Sequence, residues 1–226
     1  MIAAVRVLTW NLLHGRAQPP AGRPLLAEFS RALAQWEWDV ALLQEVPPWW
    51  PPLLARAAGA SEHRAELTSR NGCLPLRRAI ARRKPDFIKS HGGGANALLA
   101  RVPLTSDHRQ ARLTCRPERR VVHGVALPDG TWVVNLHAST HPAERRRADL
   151  HTAHDHALTW SAGAPLIFGG DLNSRNPRLE HLSIVASHRV DHLLVRGLEA
   201  KGPGEVLDAG ILSDHRPLAV DLRPTA

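Results

Sequence analysis

The stretch PLIFGGDLN, residues 165–173, is an apolar run that stops on two glycines and then delivers an acid and an amide. Leu166, Ile167 and Phe168 read as a short strand bound for a core. Gly169-Gly170 then lets the backbone approach a ligand closely. Because side chains alternate along an extended segment, Asp171 and Asn173 can point to one side while Leu172 turns into the core. Strand ends hold side chains rigidly at the rim of a sheet, so polar residues delivered there mark a site.

The same device recurs outward from this stretch. Val5 to Trp10 ends on Asn11, Val40 to Gln44 ends on Glu45, and Trp132 to Leu136 ends on His137. Val190 to Val195 carries Asp191, and Ser213-Asp214-His215-Arg216-Pro217 precedes the last apolar run. Taken singly, each has an ordinary reading: a turn acid bonding its own backbone, a solvated strand end, a structural histidine. His192 is set aside because alternation turns it away from Asp191.

Between the strand-like runs lie helical patterns. Leu26, Phe29, Leu33 and Trp36 fall at helical spacing behind Pro24, and Leu150, Ala153 and Ala157 share a face after His141-Pro142. Asp129-Gly130 marks a hairpin, which implies antiparallel pairing. With strands at 5–10, 40–46, 95–102, 121–127, 131–137, 165–169, 190–195 and 217–222, the expectation is a mixed α/β protein, one domain over residues 1–226, with sheets packed face to face under helical layers.

Lys+Arg number 29 against 21 Asp+Glu, a formal net charge of +8, and lysine occurs only at 84, 89 and 201. The excess is arginine, whose planar fork suits phosphate oxygens, so an anionic partner is expected; a GC-rich coding bias gives the same composition. Cys73 and Cys115 form no CxxC pair and exclude a disulfide framework or thiolate zinc site. No apolar stretch reaches membrane-spanning length and no leader-like segment precedes the first strand, so a cytoplasmic location is expected.

The ordered series Thr9-Trp10-Asn11, Leu43-Gln44-Glu45-Val46, Asn135-Leu136-His137, Gly170-Asp171-Leu172-Asn173, Val190-Asp191-His192-Leu193 and Ser213-Asp214-His215-Arg216-Pro217-Leu218 resembles the endonuclease/exonuclease/phosphatase superfamily. Gly94 to Arg101 is similar to that family's central glycine-led strand. The resemblance implies a four-layer α/β sandwich with two central, largely antiparallel mixed sheets, and a Mg²⁺- or Mn²⁺-dependent phosphoesterase. It implies metal ligation by Glu45, aided by Asn11 and Asp214, and handling of the attacking water by Asp171. It further implies a phosphate hydrogen bond from Asn173, charge stabilisation by His215 oriented by Asp191, and His137 as leaving-group acid or second phosphate donor. Whether Asp171 or His215 is the base stays open.

Departures narrow the branch. The chain has no tyrosine, and Leu13 stands two after Asn11 where exonuclease III-like repair enzymes carry an acid, which argues against abasic-site repair. His137 is more like the deoxyribonuclease I and neutral sphingomyelinase branches. A nuclease acting on DNA or RNA is the expected function. A phosphomonoesterase or phospholipid-directed phosphodiesterase is the alternative, and a non-catalytic phosphate-binding module the remote one.

Residues 69–94 break the alternation and read as a basic, partly irregular excursion. Its short helical segment is expected to dock by Leu76, Ala79 and Ile80 and to present Arg77, Arg78, Arg82 and Arg83. Substrate contacts are expected at Arg70, Asn71, Arg77, Arg78 and Asn96. The Trp49-Trp50 pair is read either as a stacking platform or as packing at a helix start.

Overall fold

The computed structural model describes residues 4–68, 72–87, 94–116 and 118–225. The first half runs β1 (Val5–Asn11), α1 (Leu26–Gln35), β2 (Val40–Val46), α2 (Pro51–Ala57), β3 (Glu62–Thr68), α3 (Leu74–Arg83), β4 (Gly94–Ala100) and β5 (His108–Thr114). The second runs β6 (Arg120–Ala126), β7 (Trp132–His137), α4 (Ala143–Ser161), β8 (Leu166–Asp171), β9 (Ser183–His188), β10 (Asp191–Arg196), β11 (Leu198–Ala200), β12 (Glu205–Val206) and β13 (Leu218–Pro224).

The strands form two sheets. One has the order β11-β13-β1-β2-β4-β3, with β12 also on β13; the other has the order β5-β6-β7-β8-β10-β9. Among the described residues only β1/β2 and β7/β8 pair in parallel, and the turn at Asp129-Gly130 joins the antiparallel pair β6/β7.

Period-two alternation explains the layering. Val5 and Val7, Val40 and Leu42, Val133, Ile167, Leu193 and Val195 fill the space between the sheets. Their strand neighbours Leu8, Trp10, Ala41 and Leu43 face the other way, onto Phe29 and Leu33 of α1 and Leu54 of α2. Val134, Leu136, Phe168 and Leu194 likewise pack on Leu150, Ala153 and Ala157 of α4. Three apolar cores separate four layers, helix, sheet, sheet, helix, as the resemblance implied.

The inter-sheet layer turns polar toward one end. Thr9, Gln44 and Asn135 are fully buried there, with Gln44 Nε2 donating to Thr9 Oγ1 at 3.2 Å and Asn135 Oδ1 at 2.8 Å. Asn135 Nδ2 donates to the carbonyls of Leu43 and Ala97, so both sheets are tied together just beneath the strand ends. Hydrogen-bonded groups of this kind hold the two sheets in one relative position, with Gln44 Oε1 left without a partner at the centre of the network.

Two readings need correction. The Gly169-Gly170 pair serves the sheet and not a ligand: at Gly170, with φ +133°, an added Cβ would lie 1.9 Å from the Leu136 carbonyl oxygen. In α3 no residue is buried, and Leu76 is 61% exposed, so the expected Leu76/Ala79/Ile80 stripe does not dock the helix.

Candidate active site

The sheet register sets the centre. Asp171, at the end of β8, stands opposite His137 on β7 and opposite Asp191 on β10, so three neighbouring strands align three titratable groups on the inter-sheet face. Asn11 arrives on the same face from β1, and its Nδ2 donates to Asp171 Oδ2 at 2.9 Å. Asn11 Oδ1 accepts the Leu13 backbone N–H, which fixes the amide orientation.

Glu45 needs a distortion to join them. Strict alternation would leave it beside Leu43 on the helix side, but the β2/β4 register slips between Leu43 and Val46, and Glu45 has φ +51°. Such a bulge re-aims a side chain at a strand end. Its carboxylate meets His14 Nε2 at 3.0 Å and lies 3.8 Å from His137 Nε2.

His14 was not among the expected residues. It sits at φ +54° in the short 3-10 turn Leu13–Gly15, which follows β1 directly. Gly15, at φ +76°, is locked below it, since a Cβ there would fall 2.3 Å from the Trp50 ring. The signal in the sequence is faint: a histidine three positions after Asn11, followed by glycine.

The loop before β13 brings in His215. Ser213 Oγ donates to the Asn11 carbonyl at 2.7 Å, and Trp10 Nε1 donates to the His215 carbonyl at 3.0 Å. His215 Nδ1 then donates to Asp191 Oδ2 at 2.8 Å, while Nε2 faces Asp171 Oδ2 at 3.8 Å.

These contacts set the charge states. Burial works against a charged His215, yet the hydrogen bond and charge of Asp191, aided by Asp171 and Asp214, raise its pKa to about 9. Burial and then the Asp191 charge raise the Asp171 carboxyl above the ordinary range, against the opposing pull of His215, Asn11 and the Asn173 N–H. Burial also opposes the Glu45 carboxylate, but His14 together with His137 and Asn11 outweighs it and holds Glu45 ionised.

His137 is driven the other way, well below its usual value, by burial and then by Arg120. Arg120, also unforeseen, donates from Nη1 to His137 Nδ1 at 3.0 Å. An arginine can only donate, so Nδ1 accepts and the single proton of the neutral ring sits on Nε2, 3.5 Å from Asp171 Oδ2. The contribution of His137 to the ionisation of Glu45 is therefore that of a neutral dipole, and His14 supplies the main counter-group. Arg120 was hidden in the run Glu118-Arg119-Arg120, which reads as surface charge.

Several expected residues lie elsewhere. Asp214 is exposed and acts on His215 through its charge, while the groups that act on the Glu45 carboxylate are His14, His137 and Asn11. Asn173 Nδ2 donates to the Ala138 carbonyl and its N–H to Asp171 Oδ1, so it is a support for the Asp171 turn with one amide hydrogen left over. Asn96 is fully buried and bonded to the Val121 carbonyl, which removes it from substrate contact. Arg77 donates to the Gly72 carbonyl, and Arg78 borders a cavity that His14 also lines. Arg70 and Asn71 lie outside the described residues.

Two places could be considered for a divalent ion. Asp171, Asp191 and His215 bring ligand atoms within 4.8 Å of one another, with His215 Nδ1 already engaged by Asp191 Oδ2. The ionised Glu45 carboxylate offers hard oxygens and fits such an ion better, with Asn11, whose amide N–H faces that carboxylate, next to it.

Fold and site together define a phosphoesterase-type sandwich. The model of the endonuclease/exonuclease/phosphatase family matches residues 8–215, and the chain belongs to that family of hydrolytic, generally divalent-metal-dependent enzymes. Among solved structures, an endonuclease/exonuclease/phosphatase from Beutenbergia cavernae is 19% identical with a TM-score of 0.76, over 98% of this chain and 72% of that one. TDP2 from C. elegans is 16% identical with a TM-score of 0.68, over 97% and 75% of the two chains. A mannosyl-6-phosphatase from Bacteroides thetaiotaomicron is 15% identical with a TM-score of 0.70, over 96% and 99%. Among curated proteins, none matches the sequence.

Proposed function

We propose that the protein is a Mg²⁺- or Mn²⁺-dependent phosphodiesterase acting on nucleic acid. The observation that carries this is the opposition of charge states around Asp171: an imidazolium at His215, a neutral Nε2–H donor at His137, and a carboxyl of raised pKa between them. Hydrolysis of a phosphodiester needs a base for water, donors for non-bridging oxygens and an acid for the leaving oxygen.

In this reading Asp171 takes the proton from the attacking water. His215, held by Asp191, stabilises charge on phosphate through Nε2–H. His137 donates its Nε2–H to a phosphate or leaving oxygen, its tautomer fixed by Arg120, and the remaining amide hydrogen of Asn173 is a further donor. Glu45 and Asn11 would hold the divalent ion. That ion, when bound, supplies charge neutralisation and polarises a phosphate oxygen.

Nucleic acid is favoured by the arginine-weighted charge and by the arginines of α3 standing over the cavity next to His14. A phosphomonoesterase is the second reading, supported by the shared fold with the mannosyl-6-phosphatase. Both cysteines are free, and among the described residues no helix is long and apolar enough to cross a membrane; we place the enzyme in the cytoplasm on these grounds. The test is a panel of plasmid DNA, single-stranded DNA, RNA, phospholipid and a sugar phosphate, each with and without Mg²⁺ or Mn²⁺. Cleavage of the sugar phosphate alone would move the assignment to a phosphomonoesterase.

A further inference from the structure

A cavity of about 380 Å³ opens beside the catalytic end, and none of the chemistry above uses it. Its floor and sides are Pro24, Pro47, Pro48, Trp49 and Leu53, and α3 lies across it with Arg78, Ala81 and Arg82. His14 forms part of the wall, and the same imidazole meets Glu45 at 3.0 Å. His14 thus stands between the Glu45 carboxylate and this chamber, which places the two side by side.

The helix is built as a roof. It buries none of its own residues, so its amphipathic packing contributes little to a core. Arg78 and Arg82, one turn apart, share the face toward the cavity and have no ion-pair partner among the described residues. A wall of prolines and Trp49 with two guanidinium groups on α3 across from it suits an occupant that is planar and carries phosphate next to it. An acyl chain would use the apolar wall but leave both arginines without a partner.

We infer that this chamber holds one unpaired nucleobase of the substrate, stacked on Trp49 and the prolines, with its flanking phosphate on Arg78 and Arg82. The inference rests on the nucleic-acid reading above and narrows it. A base stacked and paired in a duplex has no free face to lay on Trp49, so the substrate is a single strand, a frayed end or a short oligonucleotide. Ala81, on the same roof, sets the height of the chamber.

The test is calorimetric binding of thymidine 5′-monophosphate, inorganic phosphate and a lysophosphatidate to the full chain. The variants are Arg78→Ala with Arg82→Ala, and Ala81→Trp, which fills the chamber from a helix that contributes nothing to the core. Stacking adds roughly 1–3 kcal/mol per base, so thymidine 5′-monophosphate should bind about tenfold or more tightly than inorganic phosphate. Ala81→Trp should bring that ratio toward one, and the double arginine variant should weaken both ligands, since the phosphate it holds is common to them; unchanged affinities in that variant would overturn the arginine contact. Equal affinity of the two ligands for the wild-type protein overturns the chamber while leaving a phosphoesterase centre intact. Tighter binding of the lysophosphatidate assigns the chamber to an apolar chain and overturns the inference. Failure of inorganic phosphate to bind overturns both the inference and the reading on which it stands.

Discussion

Arg120 Nη1 lies 3.0 Å from His137 Nδ1, and this contact decides which ring nitrogen can face substrate. A cation at that distance both forbids protonation of Nδ1 and lowers the pKa of the ring, adding to burial in the same direction. His137 therefore enters the reaction neutral, with one donor on Nε2.

Replacing Arg120 with Met should free the tautomer and raise the His137 pKa, because the opposing charge is gone. The rate should fall by up to roughly 100-fold, the lower end of what a positioned proton donor supplies, because the ring itself remains. Imidazole nitrogen NMR gives the decisive readout: the wild-type ring should hold a proton on Nε2 and stay untitrated across neutral pH, and the variant should show both tautomers. An unchanged spectrum would dismiss Arg120 as the orienting group.

The pair of Asp191 and His215 predicts a pH dependence of opposite kind. The His215 pKa is raised from 6.5 to about 9, so the pair contributes stability that is fully present below pH 6.5 and is lost as pH rises through about 9. Activity that needs the imidazolium should fall over the same alkaline range. Asp191→Asn should lower the His215 pKa, move the alkaline limb to lower pH and flatten the loss of stability between those values. Denaturant unfolding at several pH values, read beside the pH–rate profile, checks both; superimposable curves for the two proteins would separate Asp191 from His215.

Much of this centre was legible before the structure because strand ends are legible. An apolar run with period-two patterning tells where Asn11, Glu45, His137 and Asp171 emerge, and the inter-sheet face follows from counting back along each strand. What escaped has a physical reason in each case. Strands β3, β5 and β9 are sheet edges, and HRQARLT or EHRAELT carries the charges that protect an edge and mask a strand pattern. Glu45 obeys no alternation because a bulge carries it, and His14 is placed by a turn with positive φ. Arg120 looks like surface charge until the register of β6 against β7 brings it to His137.

Glu45→Gln keeps the size and removes the charge that both His14 and a divalent ion would meet. Its expected effect is weaker Mn²⁺ binding, by about tenfold or more, with part of the rate restored at high metal concentration. Titration calorimetry with Mn²⁺ measures it directly. Unaltered affinity, or full wild-type activity in a chelator, would remove Glu45 from the metal site.

Asn96 should behave as a structural residue. It is buried, and its Nδ2 bond to the Val121 carbonyl joins the sheet of β4 to that of β6. Asn96→Ala leaves that carbonyl unsatisfied and should cost roughly 1–3 kcal/mol of stability. KM should remain within about twofold of wild type, since a side chain that never meets substrate adds no uniform binding. A raised KM at unchanged stability would restore the substrate role that burial denies it.

The sharpest test falls on Asp171, because its environment makes it a stronger base than an exposed carboxylate. Burial and the Asp191 charge raise its pKa, so the deprotonated form is gained only as pH climbs above the usual carboxylate range. Stability moves with the same sign as for the His215 pair but from a lower pH: ionising a carboxyl that the folded state prefers to keep protonated costs stability as pH rises above its unfolded value near 3.8. The rate should thus rise through an acid limb displaced upward from that of free aspartate, and fall again as His215 loses its proton near 9. Asp171→Asn should abolish the acid limb and lower kcat by on the order of 10²-fold or more even at saturating metal, while raising stability at neutral pH. Asn11 would still find an oxygen to bond, so the variant should fold. A variant that is slow yet retains the acid limb would show that another group, and not Asp171, takes the proton from water.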